Sequence, residues 1–139
     1  MATGKAYRTA APTEFKAAIA LVPAHLRTFL SPYTAAEYEA KGAACYLSED
    51  GRSGYALTSE ADLISVFSLP GAGQGSAAIK SAIANGAQTL DCIDGYLPRF
   101  YAQFGFVECD RIAWDDQYAP EGWDYGRFGR PDIVFMRRG

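Results

Sequence analysis

Leu69-Pro70-Gly71-Ala72-Gly73-Gln74-Gly75-Ser76 joins a strand-like run to a helix-like one. Ahead of it, Leu63-Ile64-Ser65-Val66-Phe67-Ser68-Leu69 is a continuous apolar and β-prone stretch bounded by turn residues, the pattern of a buried strand. Behind it, Ser76 to Asn85 is rich in Ala and Ile and closes on Asn85-Gly86, a helix with its stop signal. Glycines at alternate positions leave the backbone uncovered, so N–H groups can converge on an anion at a helix start. The stretch is built like a phosphate cradle.

Working outward, the remaining chain supplies the elements on either side. Lys5 to Ala10 is a short strand. Pro12-Thr13-Glu14 opens a helix with Thr13 as its N-cap and Phe15, Ala18, Ile19 and Val22 along one face. Pro23 interrupts that face, which Leu26, Phe29 and Leu30 continue, and Thr34 to Lys41 is a further helical piece ending at Gly42. Ala43 to Ser48 and Tyr55 to Ser59 flank a turn containing Asp50-Gly51, a hairpin signal. After the glycine loop and its helix come a strand at Thr89 to Ile93, a short helix at Leu97 to Phe104 and a strand at Phe106 to Ala113. A polar-aromatic loop, Trp114 to Arg130, precedes a last strand at Ile133 to Arg137. Three strands in sequence, then strands alternating with helices, make a mixed α/β arrangement.

Bulk properties narrow the class. At 139 residues the chain reads as one domain, residues 1–139, with 49% hydrophobic and 21% charged residues. A net charge of −3 with scattered basic residues gives no general grip on nucleic acid. No apolar run reaches the roughly 20 residues that a membrane span needs, and the N-terminus lacks a signal-peptide layout. Cys45, Cys92 and Cys109 are odd in number and widely spaced, which suits a reduced, cytoplasmic protein. With a single histidine, no metal-ligand spacing occurs either.

A second motif, Phe100-Tyr101-Ala102-Gln103-Phe104-Gly105-Phe106, stands downstream of the glycine loop. Together, in this order and at this separation, the two motifs resemble the GNAT N-acetyltransferase superfamily. In that family the fourth strand ends in a Gln/Arg-x-x-Gly-x-Gly/Ala loop. Some twenty residues later come an Asn, a short helix and Phe-Tyr-x-x-x-Gly-Phe. Here Pro70 stands where Gln or Arg begins the loop, so a side-chain contact and an N–H are missing. Asp94 stands in the Asn place, able like it to cap the short helix. The resemblance covers nearly the whole chain in topology and is most specific from Leu63 to Phe106. It implies an α/β fold of the mixed α+β kind: a central, twisted, mostly antiparallel sheet of about seven strands. Helices flank that sheet, which is splayed between strands 4 and 5.

The resemblance also implies a co-substrate, acetyl-CoA, and an activity, direct transfer of its acetyl group to an amine. Backbone groups of Phe67, Ser68 and Leu69 would run along the cofactor arm. The amides of Gly71, Gly73, Gln74, Gly75 and Ser76 would hold its pyrophosphate, with Asp94 beside it. Tyr101 matches the family tyrosine that gives a proton to the departing thiolate, a task suited to a phenol protonated at neutral pH. The alternative is a ring that only packs.

No general base declares itself. Strand alternation separates Asp91 and Ile93 from Cys92 and Asp94. Asp91 inside an apolar run is either a base or a structural carboxylate. His25, in the early helical region, carries little weight as an acid–base group. Trp114, Tyr118, Trp123 and Tyr125, interleaved with acids, either form an acceptor wall for a cationic or flat amine or fold back to bury one another. The expected partner is a small-molecule amine, and a homodimer is allowed. Two other functions stay open. One is a non-catalytic binding protein of the same fold; the other is an acyltransferase acting on a modified nucleobase or a protein side chain.

Overall fold

The computed structural model describes residues 7–23, 33–69, 73–119 and 122–138. His25, Leu26, Phe29, Leu30, Pro70 and Gly71 lie outside the described residues. Seven strands form one sheet: β1 (Tyr7–Ala10), β2 (Ala44–Ser48), β3 (Ser53–Leu57), β4 (Asp62–Ser68), β5 (Thr89–Ile93), β6 (Phe106–Ile112) and β7 (Ile133–Arg138). Their order across it is β1-β2-β3-β4-β5-β7-β6. Only β4 and β5 run parallel, because the helix α3 (Gly75–Ala84) carries the chain back between them. The sheet is open and mixed, as the resemblance implies.

Helices cover both faces. On one face α3 and α4 (Tyr96–Ala102) bury Ala78, Ile79, Ala82 and Tyr101 against Leu63, Leu90, Cys92 and Val134. On the other, α1 (Pro12–Ile19) and α2 (Ala35–Ala40) bury Phe15, Ile19 and Tyr38 against Cys45, Leu47, Ile64 and Phe67. Phe15 and Tyr38 are fully buried and meet edge to face at 5.6 Å. Each such ring contributes about 2 kcal/mol by leaving water. Among the described residues no helix is long and apolar enough to cross a membrane.

Local differences from expectation have simple causes. The N-cap of α1 is Ala11, not Thr13, because Pro12 with its fixed φ and missing N–H fits the first helical position. The α2 helix begins one residue after Thr34, which forms a reciprocal capping box with Glu37. The hairpin loop is shorter than its sequence suggests: Ser53 and Gly54 already belong to β3.

The decisive irregularity is in β4. Gly54 pairs with Phe67 and Ala56 with Ile64, so Ser65 and Val66 together face Tyr55. Ser65 takes φ +54°, rare for a residue with a Cβ. This bulge inserts one residue into the alternation and puts Phe67 on the same face as Ile64. The Tyr38 hydroxyl bonds the Ser65 hydroxyl at 2.8 Å, both buried, and pins the bulge from α2. Tyr38→Phe is expected to cost about 1 kcal/mol, a fall of roughly 3 °C in Tm. Unchanged thermal unfolding would show that the bulge holds without this bond.

Candidate functional site

β4 and β5 begin as partners and then part. They pair only at Asp62 with Thr89 and Leu63 with Leu90, where Thr89 donates to the Asp62 carboxylate at 2.8 Å. Past that point the bulged β4 leaves its edge facing a gap, and a cavity of about 620 Å³ opens between the strands. Ile64 to Ser68 form one wall and Asp91 to Leu97 the other.

Strand alternation assigns the cavity two sides. Leu90 and Cys92 pack toward α3 and α4, with Tyr101 beside them. Asp91 points the opposite way, toward Tyr33, whose phenol is raised by burial and then by the Asp91 charge. Tyr101 is 8% exposed and lines the cavity. Its ring meets Phe100 and Phe106 edge to face at 5.4 and 6.2 Å. Its hydroxyl has no hydrogen bond among the described residues, and none of their fully buried side-chain polar atoms lacks a partner. The hydroxyl therefore opens onto the cavity. Burial, with Cys92 and Asp91 nearby, pushes this phenol well above its ordinary value, so it remains a proton donor.

Asp91 is an exposed residue that lines the cavity, and desolvation by the neighbouring walls raises its carboxyl; the charge of Asp62 adds to this, while its own N–H and Lys41 oppose it. Folding therefore takes up a proton here over the interval from the ordinary carboxylate value to the raised one, and stability falls as pH rises through it. Asp91→Asn should flatten that fall in Tm measured from about pH 4 to 8. A slope like that of the wild type would assign the titration to another group. Cys92 is pushed up to about 12 by burial and the charges of Asp91, Asp94 and Glu108, so its thiol stays protonated.

At the open end of β4 the glycine loop enters α3. Gly73 has φ +63°, a left-handed conformation that glycine adopts freely. The N–H groups of Gly75, Ser76 and Ala77 form the first turn and have no partner within the helix. The amide of Gln74, expected to join them, instead donates to the Ser68 hydroxyl at 3.1 Å. The buried Gln74 side chain accepts from Ser53 and donates to Asp50 at 2.9 Å, so the hairpin fixes the helix start. A Cβ on Gly75 would lie 3.6 Å from the Phe100 ring. The two sequence motifs thus lie side by side.

Other expected residues divide. Phe67, Ser68 and Asp94 line the cavity; Leu69 does not. Asp94 does not cap α4, whose N-cap is Gly95 at φ +127° without a side-chain bond. Its carboxylate instead accepts from the Gly95 amide at 2.9 Å and from Arg111 at 2.8 Å. None of Trp114, Tyr118, Trp123 and Tyr125 lines the cavity. Trp114 and Trp123 pack ring to ring at 4.7 Å, and Trp123 donates to the Gly129 carbonyl. Asp116 gathers Trp114, Tyr125 and Arg130. Tyr118 stands exposed. Instead, the one-turn helix α5 (Tyr125–Phe128) brings Arg127 and Phe128 to the cavity, joined there by Val22 and Tyr33. Sequence alone had no means of singling out Arg127 and Phe128, since the self-packing of the aromatic loop decides which of its residues turn inward.

The sequence matches no protein-family model and no curated protein. Solved structures do match. A GCN5-related N-acetyltransferase from Rhodopseudomonas palustris superposes with a TM-score of 0.62 at 18% identity, covering 100% of this chain and 98% of that one. A GNAT superfamily phosphinothricin acetyltransferase from Sinorhizobium meliloti, in complex with acetyl-CoA, superposes at 0.56 and 13% identity over 98% of this chain and 88% of that one. An IAA acetyltransferase from Bacillus cereus gives 0.59 at 17% over 96% and 97%. The chain has the GNAT acetyltransferase fold. At these identities the GNAT likeness speaks for the fold, and the roles of side chains rest on this chain's own geometry.

Proposed function

We propose that the protein is an N-acyltransferase that takes an acetyl group from acetyl-CoA and passes it directly to an amine. The observation that carries this reading is the gap between β4 and β5, with the Tyr101 hydroxyl, unbonded among the described residues, opening onto it and Asp91 turned to the opposite face. Solved neighbours carry this donor or its thiol: the phosphinothricin acetyltransferase is in complex with acetyl-CoA, and an N-acetylglutamate synthase from Neisseria gonorrhoeae is complexed with coenzyme A and N-acetyl-glutamate.

The residues present fit such a donor. The free amides of Gly75 and Ser76 at the start of α3, with Gly73 before them, suit a pyrophosphate. Gly71 belongs to the same expectation. Gln74 acts by anchoring the loop rather than by its own amide. The unpaired edge of β4 at Phe67 and Ser68 offers backbone partners to an amide-bearing arm, and Leu69 continues it. The donor supplies an acyl carbon activated by its thioester.

Asp91 takes a proton from the incoming ammonium, directly or through water, and its raised carboxyl is a better base than an ordinary one. A C–N bond forms and the C–S bond breaks. Tyr101 passes its proton to sulfur and recovers one from the nitrogen. Asp94, held by Arg111, shapes the cavity floor beside α4. The free cysteines support a cytoplasmic setting.

The test is thiol release from acetyl-CoA with a panel of amines. Release that depends on amine supports transfer. Binding of acetyl-CoA without release to any amine would instead make the chain a non-catalytic binder of this fold.

A further inference from the structure

The cavity lining contains one cationic side chain among the described residues, Arg127, and two carboxylates, Asp91 and Asp94. Asp94 is already bound by Arg111 at 2.8 Å, a cation it shares with Glu108 and Asp132 at 2.9 and 3.1 Å. Asp91 and Arg127 form no ion pair among the described residues.

Among the described residues Arg127 has no ion pair, although its loop is acidic. Asp116 is occupied by Arg130, Asp115 accepts the Gln117 amide, and Asp124 accepts the backbone N–H of Arg127 itself. The Arg127 guanidinium lies over the Phe128 ring at 5.4 Å, a contact that leaves its forked donors open. Two opposite charges thus line one cavity without neutralising each other. That arrangement suits a ligand carrying both complementary charges: an ammonium for Asp91 and a carboxylate for Arg127. Phe128, Val22 and Tyr33 supply the apolar wall between. The donor's phosphates have a separate seat, since the first-turn residues of α3 are not among those lining the cavity.

Resting on the acyltransferase reading, we infer that the acceptor is an amino-carboxylate, an α-amino acid or a close relative, and that Arg127 selects it by pairing with its carboxylate. Phe128, which lines the same cavity, lies under the guanidinium at 5.4 Å. The aromatic loop then serves specificity through its shape: the packed tryptophans and the Asp116 hub present α5.

The experiment compares acceptors that differ only by the carboxylate: L-leucine against 3-methylbutylamine, and L-phenylalanine against 2-phenylethylamine. The full chain is assayed with acetyl-CoA, as wild type, Arg127→Gln and Arg127→Lys. The amino acid of at least one pair should be preferred in kcat/KM by about 10- to 100-fold, the range of a charge-assisted hydrogen bond. Arg127→Gln should collapse that ratio through the KM of the amino acid, and Arg127→Lys should restore part of it. Equal use of both members of each pair overturns the inference. So does a rise in the KM for acetyl-CoA alone, which would make the anion a phosphate of the donor. Failure of the protein to bind acetyl-CoA overturns the acyltransferase reading itself, whereas turnover that prefers carboxylate-free amines overturns only the present inference.

Discussion

Tyr101→Phe is expected to lower kcat about 100-fold while leaving the KM for acetyl-CoA within about twofold, the effect of removing a general acid. The change deletes one oxygen that makes no hydrogen bond among the described residues and opens onto the cavity, so folding does not depend on it. The ring keeps its edge contacts with Phe100 and Phe106. Tm should therefore stay within about 1 °C of the wild type. A tyrosine that only packs gives the same Tm but an unchanged kcat. Steady-state kinetics beside a thermal melt separates the two roles.

The second large effect is on stability. Gly54→Ala should lower Tm by roughly 10 °C, from a loss of about 3 kcal/mol. Gly54 sits on β3 opposite Phe67, next to the bulge. A Cβ there would overlap the Tyr46 carbonyl oxygen and come within 2.9 Å of the Phe67 ring and 3.0 Å of the Leu47 side chain. The leucine can rotate, but the carbonyl belongs to the β2 backbone and cannot move without disturbing its ladder with β3. A melt within about 2 °C of the wild type would mean that the strands relax around the methyl group.

The fold was legible where local pattern and tertiary demand agree. Thr89 to Ile93 reads as a strand from its alternation, and its Leu90 and Cys92 do face the core while Asp91 turns away. The glycine loop and the Phe100 to Phe106 motif were legible as well, and they prove to be neighbours through Gly75 and Phe100.

Other features depend on contacts that sequence does not display. The Ser65 bulge gives no local signal, because a serine at positive φ is held there by Tyr38, 27 residues away. Asp94 could be read as a cap, but Arg111 draws its carboxylate toward β6. The tryptophans drew attention by composition. They pack against each other, and the cavity receives Arg127 and Phe128 instead. A run of polar and aromatic residues shows that a loop has a cluster to build, not which residue the finished cluster turns inward.

The pairing of Tyr101 and Asp91 across a parted sheet has meaning only if an acyl-CoA lies between them. Calorimetric titration of acetyl-CoA into the protein tests this most directly. One molecule should bind per chain with a Kd in the micromolar range, and no heat of binding at millimolar acetyl-CoA would contradict the account.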